Sequence, residues 1–224
     1  MTTASSPSPS PSPVPVAVLV SGGGTNLQAL LDAFHGSTLA RIARVVSSRD
    51  GAGALERARH AGVPTVVLRD PDDADELVRA LGDARLAVLA GYLKRVPPAA
   101  VARFRWRLIN IHPALLPDFG GRGMYGRRVH EAVLSSGAQV SGATVHYVDE
   151  EFDRGPIIAQ WPVPVRAGDT PESLAARVLE VEHRLLPLVV QELARRGVPA
   201  EPVRVSVDHL TATERRNDGK GMHD

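Results

Sequence analysis

Two polar residues interrupt an apolar run at positions 108–117, "LINIHPALLP". Asn110 and His112 stand two apart, so in an extended segment they share one face while Ile109 and Ile111 point to the other. An imidazole near its pKa can move protons, and it shares a small volume with a side-chain amide, so the pair has the makings of a catalytic site. Pro113 keeps His112 extended, and the carboxyl end of a strand is where open parallel sheets place their ligands. A satisfied histidine at a frayed strand end accounts for the same residues. A nearby carboxylate would decide between the two, and "DEEFDRGP" offers Asp149, Glu150, Glu151 and Asp153. Asp153 precedes the forced turn Arg154-Gly155-Pro156 and has the most fixed position, but spacing alone does not bring it to His112. His146, on "ATVHYV", suits a core or a site equally.

A second constellation lies near the start. "SGGGTN" (21–26) follows an apolar stretch and precedes Leu27, Leu30, Leu31 and Phe34 at helical spacing. At a junction of strand and helix, unpaired amides and the helix dipole favour an anion, and glycines let the backbone approach it. A dinucleotide fingerprint needs a glycine three places after Gly24, where Leu27 stands, and the P-loop lysine is missing. The turn reads as a handle for a single phosphate; a tight turn that binds nothing is the alternative. The chain has no cysteine, which removes disulfides and thiolate metal sites and fits a reducing cytoplasm. No histidine and carboxylate grouping has metal-ligand spacing, so no metal is expected, and no Gly-x-Ser-x-Gly elbow suggests a serine hydrolase.

These residues need a scaffold. "VPVAVLV" (14–20) is continuously apolar, as in a strand buried on both faces. Strand-like "RIARVVSS", "PTVVL" and "LAVLAGY" alternate with helix-like "GALERARHAG", "DDADELVRALG" and "PPAAVARF" before "RLINIHP". Such alternation predicts an α/β protein with a doubly wound, mostly parallel sheet. "SGATVHYVD" and "PIIAQWPVPV" are separated only by the acidic loop, which predicts an antiparallel C-terminal portion. A final helix opens with Thr170 as N-cap and Pro171 at its first position, buries Leu174, Val178, Val181, Leu185 and Leu188, bends at Pro187 and ends at Gly197.

Lys and Arg number 26 against 25 Asp and Glu, a net charge of +1 that favours neither nucleic acid nor a membrane surface as partner. No run reaches transmembrane length. Residues 1–13 are a Ser/Pro repeat expected to be disordered, and 208–224 read as a loose polar tail. The folded domain is expected over 14–207.

In this order, "SGGGTNLQAL", "LAGYLKRV", "NIHPALLP", "SGATVHYVDEEFDRGPIIAQ" and "RVLEVEHRLLP" resemble the glycinamide ribonucleotide formyltransferases, folate-dependent enzymes of purine biosynthesis. The resemblance spans essentially the whole expected domain. It implies a Rossmann-like formyltransferase fold whose N-terminal half binds phosphate and whose C-terminal half binds folate and carries the catalysis. Residue by residue, it implies that Gly24, Thr25 and Asn26 hold a substrate phosphate and that Glu182 contacts the ribonucleotide. Asn110, His112 and Asp153 match the catalytic trio; Leu93, Lys94, Arg95 and Val96, with the loop from Asp149 and Glu150 to Asp153, match the folate pocket. Ala114, Arg154 and the glycine-rich "FGGRGMYGRR" depart from the usual pattern, and none of these departures falls on a trio residue.

The activity so implied is transfer of a formyl group from 10-formyltetrahydrofolate, as co-substrate, to the amine of glycinamide ribonucleotide. The substrate amine attacks directly, His112 is expected to be kept cationic by Asp153, and no metal is needed. A cytoplasmic monomer or homodimer is expected. Within the same superfamily, a formyltetrahydrofolate hydrolase usually carries a regulatory domain ahead of this one, and the transfer-RNA enzyme a basic domain after it; the two ends are read as neither. A non-catalytic module that binds a sugar phosphate or folate is the alternative from another class.

Overall fold

The computed structural model describes residues 12–218, with side chains to 212. Most of the Ser/Pro repeat and the last six residues lie outside that range. Strands β1 (Val14–Val20), β2 (Ala40–Ser47), β3 (Thr65–Val67) and β4 (Leu86–Leu89) alternate with helices α1 (Thr25–Phe34), α2 (Gly53–His60), α3 (Ala74–Leu81) and α4 (Pro98–Arg103). Then follow β5 (Leu108–His112), α5 (Arg127–Ser135), β6 (Val140–Tyr147), β7 (Ile157–Pro164), α6 (Pro171–Arg195) and α7 (Val207–Asp218). The strands form one sheet in the order β3-β2-β1-β4-β5-β6-β7. The first five are mutually parallel, while β6 and β7 run antiparallel, as the short connection between them requires.

The unbroken apolar run of β1 is explained by its central place. Val16, Val18 and Val20 pack on one face with α1 and α6, through Leu27, Leu30, Leu174 and Leu185. Ala17 and Leu19 pack on the other with Leu77 and Leu81 of α3 and Val101 of α4. Both faces are dry, so β1 has no position for a polar residue until Ser21.

Helix α6 begins as its sequence dictates: Thr170 Oγ1 accepts from the Ser173 amide at 3.2 Å while Ser173 Oγ accepts from the Thr170 amide at 3.0 Å, with Pro171 in the first turn. It runs through Pro187 to Arg195 without a break, and Gly197 follows at φ 72°. Burial of Leu185, Leu186, Val189 and Val190 around the proline supplies the packing that offsets its lost backbone bond.

The C-terminal region differs from the sequence expectation. Residues from 208, read as a loose tail, wind into α7. The polar sequence hides two anchors, Val205 and Leu210, which are 7% and 2% exposed and join the main core. The Val205 amide donates to Ile158 O at 2.7 Å, extending the β7 edge just before the helix. Tertiary burial, which a local pattern does not report, stabilises this segment.

Candidate active site

The glycine turn leads out of β1 at the carboxyl edge of the sheet. Gly24 is the N-cap of α1 in a left-handed conformation, φ 76° and ψ 34°, and a Cβ there would sit 2.6 Å from Ala54 Cβ. Both facts demand glycine. A Cβ on Gly22 or Gly23 would meet nothing within 4 Å, so the loop backbone is open on one side. No side chain caps α1 and no acid occupies its first turn, which leaves its leading amides available to an anion.

Behind the turn, Asn26 Nδ2 donates to Glu182 Oε2 at 2.6 Å and ties the start of α1 to the middle of α6. Glu182 is 7% exposed, and burial pushes its carboxyl up to about 7 against the partial offset of the Asn26 bond. Asn26 Oδ1 is buried without a partner. Thr25 departs from its companions: its side chain lines a separate groove between α1 and α6, beside Gln28 and His183.

At the end of β5, the expected pair faces one side. Asn110 lies opposite His146 and His112 opposite Thr144 on antiparallel β6. Just beyond β6 the chain reverses so tightly that a Cβ on Gly155 would stand 1.9 Å from Tyr147 O. This turn, with Asp153 at φ 57°, returns the carboxylate over β5. Asp153 Oδ2 comes 3.6 Å from His112 Nδ1, and Asp153 Oδ1 comes 3.4 Å from Asn110 Nδ2. Positions 43 apart in sequence therefore share one small volume.

His112 is 3% exposed, and its Nε2–H donates to Phe119 O at 2.9 Å, which leaves Nδ1 as the nitrogen facing Asp153. The backbone after β5 is held by Thr144, whose hydroxyl donates to Ala114 O at 2.6 Å and accepts from the Leu116 amide at 3.1 Å. Burial lowers the His112 pKa, and the Asp153 charge and the Phe119 carbonyl recover only part of the loss. Desolvation thus works against the cationic form that the sequence reading expects, and the one carboxylate beside the ring offsets it in part. Asp153 itself sits below the usual carboxylate range: burial raises it, but His146, His112 and the Gly121 amide at 2.9 Å outweigh that.

These groups stand in a cleft of about 780 Å³. Leu93, Lys94, Arg95 and Val96 line it, as do Asp149 and Glu150 of the acidic loop. The 92–96 segment is tethered to the glycine turn by the Leu93 amide, which donates to Ser21 Oγ at 2.9 Å, and to the acidic loop by Arg95, which donates to Glu150 O at 2.8 Å. Leu93, Tyr125 and Phe152 are 57%, 48% and 40% exposed and give the cleft an apolar rim. Asn26 and Glu182 line the same cleft, so the start of α1 and the cluster of Asn110, His112 and Asp153 open into one space.

Two histidines extend the centre beyond the sequence reading. His146 is 2% exposed, with Nε2 3.1 Å from Asn110 Nδ2 and 3.5 Å from Asp153 Oδ1. The signal was present: Thr144 and His146, two apart on a strand, must share the face that pairs with Asn110 and His112. His130 of α5, 4% exposed, lines the cleft, and burial and the nearby His112 lower its pKa. A lone histidine in a helix of ordinary amphipathic pattern carries no comparable signal.

A parallel sheet with an antiparallel edge and an Asn, His and Asp centre between strands defines a class. The sequence pattern of the formyl transferase family matches residues 14–190, and the chain belongs to that family. It is 46% identical over 181 residues to the chloroplastic phosphoribosylglycinamide formyltransferase of Arabidopsis thaliana, covering 76% of this chain and 62% of that one. It thus spans less than two thirds of the plant relative's length. It is 40% identical over 182 residues to the phosphoribosylglycinamide formyltransferase of Haemophilus influenzae, covering 77% of this chain and 84% of that one. The crystal structure of the phosphoribosylglycinamide formyltransferase from Anaplasma phagocytophilum superposes with a TM-score of 0.77 at 35% identity, covering 87% of this chain and 98% of that one.

Proposed function

We propose that the protein transfers a formyl group from 10-formyltetrahydrofolate to the amine of glycinamide ribonucleotide, a step of purine biosynthesis. The observation that carries the reading is the joint cleft, lined together by Asn26 at the start of α1, by the 93–96 and 149–153 segments and by Asn110, His112 and Asp153. A ribonucleotide phosphate at Gly24, Thr25 and Asn26, through their backbone amides, orients the amine, with Glu182 within reach of the ribose. The folate lies along Leu93, Lys94, Arg95 and Val96 and beside Asp149 and Glu150. The cysteine-free sequence accords with a cytoplasmic location.

In this reading the amine attacks the formyl carbon and a tetrahedral oxyanion forms with a positively charged nitrogen. His112 Nδ1, unprotonated at rest, takes the proton from that nitrogen; Asp153 and the Phe119 carbonyl stabilise the imidazolium that results. The imidazolium and the Asn110 N–H steady the oxyanion, and His112 then returns the proton to the departing folate nitrogen as the carbon–nitrogen bond breaks. Acid–base catalysis of this kind contributes roughly 10²–10⁴-fold, and an oxyanion donor about 10²–10³-fold. Formyl-group transfer is tested by incubating the protein with 10-formyltetrahydrofolate, with and without the ribonucleotide. Turnover only in its presence supports the transferase; release of formate without it replaces that reading with a hydrolase, and binding without turnover with a module.

A further inference from the structure

Asn110 can serve an oxyanion only if its NH₂, and not its carbonyl, faces the reacting carbon. The two ends of an amide are nearly isosteric, so its neighbours must choose between them. The choice can be followed atom by atom. His146 Nδ1 lies 2.7 Å from Tyr147 O, and a carbonyl only accepts, so Nδ1 carries the hydrogen. Nε2 then presents a lone pair, 3.1 Å from Asn110 Nδ2. On its other side, Asn110 Nδ2 faces Asp153 Oδ1 at 3.4 Å, and a carboxylate also only accepts. Reversing the amide would set its carbonyl oxygen against both. The two contacts are unequal: the His146 bond has ordinary length, while 3.4 Å lies beyond the usual range and marks a loosely held hydrogen. Asp153 Oδ1 lies 3.5 Å from Nε2, beyond ordinary hydrogen-bond length, so Nε2 accepts from the nearer Asn110 amide rather than donating to the carboxylate.

We infer that His146 is a positioning residue: its Nδ1–H tautomer, set by the Tyr147 carbonyl, anchors one N–H of Asn110 and leaves the other to be handed from Asp153 to the oxyanion. His146 touches no substrate in this account and acts through Asn110. Its kinetic consequence rests on the formyl-transfer reading above; the tautomer does not.

The test compares His146→Phe, His146→Gln, Asn110→Ala and the Phe/Ala double variant in steady-state kinetics. His146→Phe should lower kcat about 10–100-fold and move each KM less than about threefold, because orientation in the transition state is lost and binding is not. Gln, whose carbonyl can accept from Asn110, should recover most of that loss. The double variant should be no slower than Asn110→Ala within about twofold, since His146 has nothing left to orient. A Phe variant with near-normal kcat, or losses that multiply in the double variant, would overturn the inference. If the Phe variant does not fold, ¹⁵N NMR of histidine-labelled wild-type protein decides: an Nδ1–H tautomer at His146 is expected, and an Nε2–H tautomer refutes it. Wild-type protein without turnover sinks the formyl-transfer reading, and the same spectrum still decides the anchor.

Discussion

The turn at Ser21–Asn26 is made by consecutive residues, whereas the Asn110, His112 and Asp153 centre draws on β5, the loop after it and the turn beyond β6. In the turn, the proposed phosphate site rests on backbone: glycines at fixed places and a helix whose first amides have no cap. In the centre, the proposed chemistry rests on side chains buried together, with His112 and Asp153 each shifting the other's pKa. A locally encoded site should therefore lose affinity when altered. An assembled one should lose rate.

The sharpest way to break that contrast is His112→Asn, which should lower kcat about 10³-fold or more while both KM values stay within about threefold. A variant of near-normal turnover would remove the centre from the chemistry. Asp153→Asn should follow at about 10²-fold in kcat. Since the carboxylate is the main influence holding the His112 pKa up against burial, its loss should move the acid limb of the pH–rate profile to lower pH. A limb that shifts upward would contradict the charge assignment.

Glu182→Gln tests the hinge between the two regions through stability. The native carboxyl is raised to about 7 from an ordinary 4.5, so between those values the folded state holds a proton that the unfolded chain has released. Stability therefore falls as pH rises across that window, by roughly 3 kcal/mol in all, and levels off above it. Urea unfolding at pH 5 and pH 8 should show this fall in the wild type and a much smaller one in the Gln variant. The smallest effect is expected from Gly24→Ala. Its strained φ and the contact with Ala54 should displace the loop and raise KM for the ribonucleotide about tenfold, with kcat within about threefold. A loss confined to kcat would erase the contrast.

Much of the scaffold was legible because its signals are local. Continuous apolar runs marked the strands, helical spacing marked α1 and α6, and Thr170 with Pro171 marked the start of α6. Where the signal was not local, the reading failed or stayed open. Helix α7 depends on Val205 and Leu210 finding the core, and a sequence of charged neighbours gives no sign of that. Thr25 lies beside Asn26 in sequence, yet a helical turn of about 100° per residue sends its side chain into a different groove.

The sequence by itself determined that Asn110 and His112 share a face, that a glycine turn leads from the first strand into the first helix, and that the acidic loop is short enough to join antiparallel strands. These follow from the period of a strand, the freedom of glycine in a turn and the reach of a chain. Only the tertiary structure decided that Asp153 comes 3.6 Å from His112, that His146 lies against the Asn110 amide, and that burial lowers the pKa of the His112 imidazole. Each is a property of groups brought close by the whole sheet. Desolvation and pairwise distance are set by what surrounds an atom, and neighbours in space are not neighbours in sequence.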